Sequence, residues 1–223
     1  MNVEEIDIFK SEVLDIYLSE LYSLAYSVKS GCEEIFAETK VPDNGYAIQV
    51  SPSIHNKINN VIISAANIKK LINSPLPKQK KESRKSFTVR KQRESLLQEL
   101  LSGLELKEIY NTDVRNKLEH FEEYLDSMAL KLMDNESDIN KEYNAASYNM
   151  VFSHWDVIKP HVYPIRLYIT SERIFYHMKW SVSLQSLFEE ANLIIERLGK
   201  IKLTHNEGNP GGLLLIFQNK QDY

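Results

Sequence analysis

At 223 residues, with 43% hydrophobic and 26% charged content, the chain has the make-up of a globular protein able to bury one substantial core, which excludes a disordered or fibrous polymer. Its formal net charge of −4 excludes a polyanion-binding surface spread over the whole molecule, and its single cysteine, Cys32, excludes an intrachain disulfide and a cysteine metal cluster. Seven glycines and seven prolines are few for this length and favour long helices over a strand-and-turn sandwich.

The acidic opening MNVEEIDIFKSEV lacks the basic and apolar regions of a signal peptide. No run approaches the roughly 20 apolar residues of a membrane helix. With a lone cysteine besides, the expected location is cytoplasmic, with no membrane partner. Ile6, Phe9, Val13, Ile16, Tyr17, Leu21 and Leu24 recur at helical spacing and predict a helix over 3–29 with an acidic outer face. VPDNGY at 41–46 is turn chemistry, and Ser51-Pro52 then opens a helix over 53–73 whose apolar stripe runs from Ile54 to Leu71.

The stretch SPLPKQKKESRKSFTVRKQR, 74–93, holds Lys78, Lys80, Lys81, Arg84, Lys85, Arg90, Lys91 and Arg93 against one acid, Glu82. It reads either as a solvated charged loop entering a helix or as a phosphate-contacting arm, because it concentrates positive charge in an otherwise acidic chain. Residues 112–133 predict one amphipathic helix, capped by Asn111 or Thr112, with a seam of Val114, Leu118, Phe121, Leu125, Met128 and Leu132. Residues 141–158 also read as a helix, around Tyr143, Ala146, Met150, Val151, Trp155 and Ile158. Beyond Pro160 the aromatic and β-branched texture predicts two antiparallel strands, 163–170 and 173–181. A clean amphipathic helix follows, with Gly199 placed as its C-cap, and the tail NEGNPGGLLLIFQNKQDY offers a turn and one more possible strand.

The expected fold is therefore mainly α, a helical bundle over 1–160 with a β-hairpin and helix extension over 161–223. A hairpin and one helix are too small to stand alone, so the extension packs on the bundle.

Arg115, Asn116 and His120 all lie off the apolar seam of the 112–133 helix. Arg115 and His120 are separated by about 140° around the helix and about 7.5 Å along it. Asn116 can touch His120, and Arg115 can touch Glu119. The bland reading is a solvated face on which Arg115 pairs with Glu119 or Glu122 and His120 rests near Glu123. The chemical reading starts from what metal-free RNA cleavage needs, a base of near-neutral pKa for the 2′-hydroxyl proton and a permanent cation for the developing phosphoryl charge. Histidine suits the first role and arginine the second. An amide four residues before the histidine could fix its tautomer or bind a phosphate oxygen.

RNKLEHFEEYLD resembles the signature of the HEPN superfamily (higher eukaryotes and prokaryotes nucleotide-binding), which runs arginine, a polar residue, three variable residues and histidine on a bundle helix; Arg115, Asn116 and His120 match it position by position. The resemblance covers the motif helix and, loosely, the helices before it; the 163–181 hairpin lies outside it. It implies an all-helical bundle and a metal-independent endoribonuclease of a toxin or antiphage-defence system. It implies a homodimer whose two copies share one cleft, RNA as substrate, an antitoxin or defence protein as partner, and no cofactor. On that reading His120 acts as general base or acid, Arg115 stabilises the pentavalent phosphate, Asn116 orients histidine or phosphate, and Glu119 tunes Arg115. The eight basic residues of 78–93 guide RNA. The family also holds members without demonstrated catalysis, so a silent module binding RNA, nucleotide or protein is the alternative. One departure stands out: family toxins paired with a nucleotidyltransferase carry a tyrosine two residues after the histidine. Glu122 holds that position here, and the nearest tyrosine, Tyr124, lies on another face, which argues against control by tyrosine adenylylation.

The remaining histidines, His55, His154, His161, His177 and His205, show no ligand spacing and read as structural or solvent-facing. Cys32, beside Glu33 and Glu34, is poorly placed for a lowered thiol pKa. The hairpin aromatics read as core before they read as a base-stacking platform.

Overall fold

The computed structural model describes residues 11–200 apart from 75–76, 135–138, 140–141, 144 and 160–161. Helix α1 (Ser11–Glu38) carries Leu18, Leu21, Ala25, Val28, Cys32 and Ile35 at spacings of three and four, each no more than 4% exposed. That stripe packs antiparallel against α2 (Pro52–Ile72), whose Ile54, Ile58, Val61, Ala65, Ile68 and Ile72 face it. Each Leu, Ile or Val among them contributes about 1.5–3 kcal/mol when fully buried. The two backbones come close at Gly31, where a Cβ would stand 2.6 Å from Val61 Cγ2. Ser51 caps α2, its Oγ accepting from the Ile54 amide, with Pro52 in the first turn as the sequence predicts. The expected helix over 3–29 is α1, extended to residue 38; residues 3–10 lie outside the described part.

Helix α3 (Arg84–Leu100) starts at Ser83, whose Oγ accepts from the Ser86 amide at 3.0 Å, and packs on α2. After the short α4 (Lys107–Tyr110), the single helix expected over 112–133 divides into α5 (Asp113–Glu119) and α6 (Phe121–Met133). His120 sits at the break with φ −109° and ψ 36°. Neither proline nor glycine causes it. Val114 and Leu118 belong to the main core, whereas Tyr124, Leu125 and Met128 belong to a second cluster with Ile165 and Met178. One straight seam cannot serve both clusters, and the helix bends between them.

The sheet differs most from expectation. Its strands, in spatial order, are β1 (Ile48–Gln49), β2 (Ala146–Phe152), β3 (Tyr163–Ile169), β4 (Ile174–His177) and β5 (Trp180–Ser183). β2 and β3 are parallel and the other neighbours antiparallel. The helix expected over 141–158 is thus, in its described residues, chiefly strand β2 followed by a 3-10 turn at Trp155–Val157. Ala146, Met150 and Val151 mimic a helical period. Pairing with β3 overrides it, because Ser147, Val151 and Phe152 gain burial only in the extended form. The expected hairpin is present as β3 and β4, but a second tight turn at Met178-Lys179 adds β5. The sheet therefore draws β1 and β2 from before residue 160 and β3 to β5 from after it, and the protein is mostly helical with a small five-stranded sheet.

Helix α7 (Leu184–Gly199) closes the core, burying Leu184, Leu187, Ala191, Ile194 and Leu198 against α1. Ser183 caps it. Gly199 is its last helical residue and not a cap beyond it. The strand expected in the tail falls at 201–223, outside the described residues.

Candidate active site

The motif helix is anchored at its start from two sides. Buried Glu190 of α7 accepts the amides of Glu108 and Ile109, each at 2.8 Å, so α4 is held by a side chain from the far end of the chain. Burial raises the Glu190 carboxyl above its ordinary value, and the two amide donors oppose that rise. Glu108 in turn accepts from Asn111 Nδ2 and from the Ser183 amide, both at 3.1 Å. Lys69 of α2 donates to the Tyr110 carbonyl at 2.8 Å and to Thr112 Oγ1 at 3.0 Å. Thr112 therefore makes no side-chain cap bond, and Asn111 Oδ1 accepts from the Asp113 amide at 3.3 Å instead.

On α5, Arg115 donates to Asn116 Oδ1 at 3.2 Å and pairs with Glu119. Its side chain is 19% exposed and that of Glu119 49%. Arg115, Asn116 and Glu119 thus form one network, as the spacing allows. His120 does not join it: the Asn116–His120 pair does not form, because Asn116 Oδ1 is turned to Arg115. The imidazole is exposed at the break, without a hydrogen bond or ion pair among the described residues. One ring nitrogen and one carboxylate oxygen each from Glu122 and Glu123 lie within 4.8 Å of one another, a grouping of three possible metal ligands. All three side chains are exposed, so a cation there would keep most of its water.

Chemically, this leaves an exposed imidazole without a partner and, one turn before it, a guanidinium already paired with a carboxylate. An ion pair open to solvent at its Glu119 end is worth about 0–1 kcal/mol, so a phosphoryl group can displace Glu119 from Arg115.

Lys117 was not legible as a functional residue. Its ammonium bonds to Tyr124 Oη and lies 4.7 Å from the Tyr124 ring centroid and 4.8 Å from that of Trp180. The two rings meet edge to face at 5.5 Å, and the lysine ties α5 to α6 and β5 across the break. The i, i+7 spacing of Lys117 and Tyr124 was the one available signal; Trp180 is remote in sequence. The Tyr124 hydroxyl and ring are thereby both engaged by Lys117.

The eight basic residues of 78–93 fall into two sets. Arg90 makes a two-pronged pair with Glu82, both bonds at 2.8 Å, and holds that carboxyl down at about 2. Lys91 pairs with Glu94, Arg93 donates to Ser74 Oγ at 2.7 Å, and Lys78 bonds to the Glu82 carbonyl. Lys80, Lys81, Arg84 and Lys85 are exposed and unpaired among the described residues, clustered at the start of α3.

Of the histidines set aside, His154 is partly exposed, with Nδ1 3.2 Å from Ser153 Oγ. His161 and His205 lie outside the described residues. His55 and His177 are buried, at 4% and 1% exposure. Cys32 is buried too, and its thiol is pushed up to about 12 by burial first and by the Glu33 charge second. Tyr168 and Phe175 of the hairpin are core residues. No helix among the described residues is long and apolar enough to cross a membrane. No family model matches the chain, nor does any curated protein or solved structure.

Proposed function

We propose that the protein is a metal-independent endoribonuclease of HEPN type, a toxin or antiphage-defence component acting as a homodimer. The observation that carries this reading is the exposed, unpaired His120 at the end of the helix whose preceding turn holds Arg115 bonded to Asn116. His120 takes the 2′-hydroxyl proton as that oxygen attacks phosphorus. Arg115 leaves Glu119 for the phosphoryl oxygens as their charge grows. The bond to the 5′ oxygen breaks, and the His120 of the second copy returns a proton to it, leaving a 2′,3′-cyclic phosphate. Asn116 fixes the guanidinium, and Lys80, Lys81, Arg84 and Lys85 draw RNA to the cleft.

The occupation of Arg115 by Glu119 favours a second reading, a silent HEPN-like module that binds RNA, nucleotide or a partner protein. Cleavage of total RNA in EDTA by wild type, Arg115→Ala and His120→Ala separates the two. The nuclease reading expects cyclic-phosphate ends from wild type and a loss of about 10²-fold or more in each variant, with melting temperatures preserved. An inactive, well-folded wild-type dimer overturns it in favour of the silent module.

A further inference from the structure

Val151, Tyr168 and Phe175 lie side by side across β2, β3 and β4, on the face packed against the helices. Next along the same strands from the pairs Met150 with Leu167 and Leu167 with Tyr176 come Asn149, Arg166 and His177. Helix α2 lays His55 over this corner: its ring centroid is 6.1 Å from that of Phe175, and the Asn149 carbonyl lies beside it. Four polar residues from four elements thus converge between sheet and helices.

Their polar atoms are not used up by the fold. Both ring nitrogens of His177 and Asn149 Oδ1 are buried without a hydrogen-bond partner, and the His55 ring, beside the Asn149 carbonyl, makes no well-formed bond from either nitrogen. A protein interior leaves few such atoms, and several in one corner ask for an explanation. The backbone is unusual at the same place. Asn149 and Arg166, neighbours on adjacent strands, have φ +53° and +55°. Glycine adopts that conformation most cheaply and asparagine tolerates it, but Arg166 carries a long side chain there.

The charge of the corner is one-sided. Burial first, and the Arg166 charge after it, hold both imidazoles below their ordinary pKa, with the Asn149 carbonyl opposing the shift at His55. Each neutral imidazole offers one N–H, Asn149 an amide and Arg166 a guanidinium. Arg166 also reaches the surface, where it stacks 5.3 Å over Phe121, the first residue of α6 and itself 40% exposed.

We propose that His55, Asn149, Arg166 and His177 form an internal binding site for a small oxyanion, a phosphoryl group, reached past Phe121. This site is separate from Arg115 and His120 and does not depend on the nuclease reading. A bound dianion reverses the charge bias of the corner, so binding draws protons onto the imidazoles.

The test is titration of the full chain with inorganic phosphate near neutral pH. Imidazole nitrogens are followed by NMR, and proton uptake by calorimetry in two buffers of different ionisation enthalpy. Saturable binding is expected, with the His55 and His177 nitrogens moving toward the protonated form and net proton uptake. Arg166→Gln weakens binding tenfold or more, whereas Lys80→Ala with Arg84→Ala leaves it unchanged, and sulfate competes. Shifts confined to the exposed His120 and His154 overturn the proposal, as does binding lost with Lys80 and Arg84. Tighter binding of acetate than of phosphate overturns the phosphoryl assignment. The wild-type titration decides the matter even where Arg166→Gln does not fold.

Discussion

Acid should destabilise this protein well above the range where its carboxylates titrate, and His177 sets the size of the effect. Its ordinary pKa is 6.5, and in the fold it is lowered to about 4, chiefly by burial and then by Arg166. The unfolded chain takes up a proton as pH falls through the ordinary value, while the folded chain does not. Stability contributed by the neutral ring is therefore complete above 6.5 and declines as pH drops, levelling off near the folded value. The difference between the two values corresponds to about 3 kcal/mol at full effect, of which roughly half is lost by about pH 5.5 and most by about pH 4.5. His55, lowered mainly by burial, adds in the same direction. Against a typical total of about 5–15 kcal/mol this is a large fraction. Urea unfolding of wild type and His177→Phe, in buffers free of phosphate and sulfate, measures it. The wild type should lose stability faster than the variant between about pH 6.5 and 4.5, by about 2–3 kcal/mol over the interval. Parallel curves would refute the reasoning, for they would mean that the ring is protonated in the fold or reaches water.

Gly31→Ala places a methyl 2.6 Å from Val61 Cγ2, and the forced separation of α1 and α2 should cost about 1–3 kcal/mol, read as a lower melting temperature with unchanged helical content. Glu190→Ala strands the amides of Glu108 and Ile109 in the interior; denaturant unfolding should show a loss of about 2–5 kcal/mol, and hydrogen exchange should quicken at 107–112 before elsewhere. Replacing Lys80, Lys81, Arg84 and Lys85 by alanine should leave stability within about 0.5 kcal/mol, whereas replacing Arg90 and Arg93 should lower it. If RNA binds, the four-alanine variant should also flatten the dependence of affinity on salt by about one phosphate contact per residue removed, in a filter-binding titration.

Helices α2 and α7 could be read from the sequence because their signals are local: Ser51-Pro52 at the start of α2, and apolar stripes at helical spacing in both. β2 could not. Its burial exists only when β3 lies alongside it in parallel, a pairing that no nearby residue announces. The break at His120 was equally hidden, since the seam from Val114 to Leu132 is continuous in sequence and only the two clusters it must meet divide it. The candidate site follows the same rule. Arg115, Asn116 and Glu119 sit within one turn or so of helix and meet as their spacing allows. His55 and His177 looked isolated because they are 122 positions apart, and the neighbourhood of Asn149, Arg166 and His177 depends on two strand pairings at once.

Helix α1 lies between two partners of very different age during synthesis: α2, which follows it directly, and α7, which ends at residue 199. Leu187, Ala191, Ile194 and Leu198 share one core with Leu21, Val28 and Ile35. A nascent chain therefore carries an apolar flank of α1 uncovered until its last described helix has left the ribosome, and Glu190, which seats α4 ahead of the motif, arrives equally late. Chains cut short before α7 keep Arg115, Asn116 and His120 but lose both the cover of α1 and the seat of α4. Truncated products should for that reason aggregate or be degraded, and only chains that include α7 should hold the motif in place.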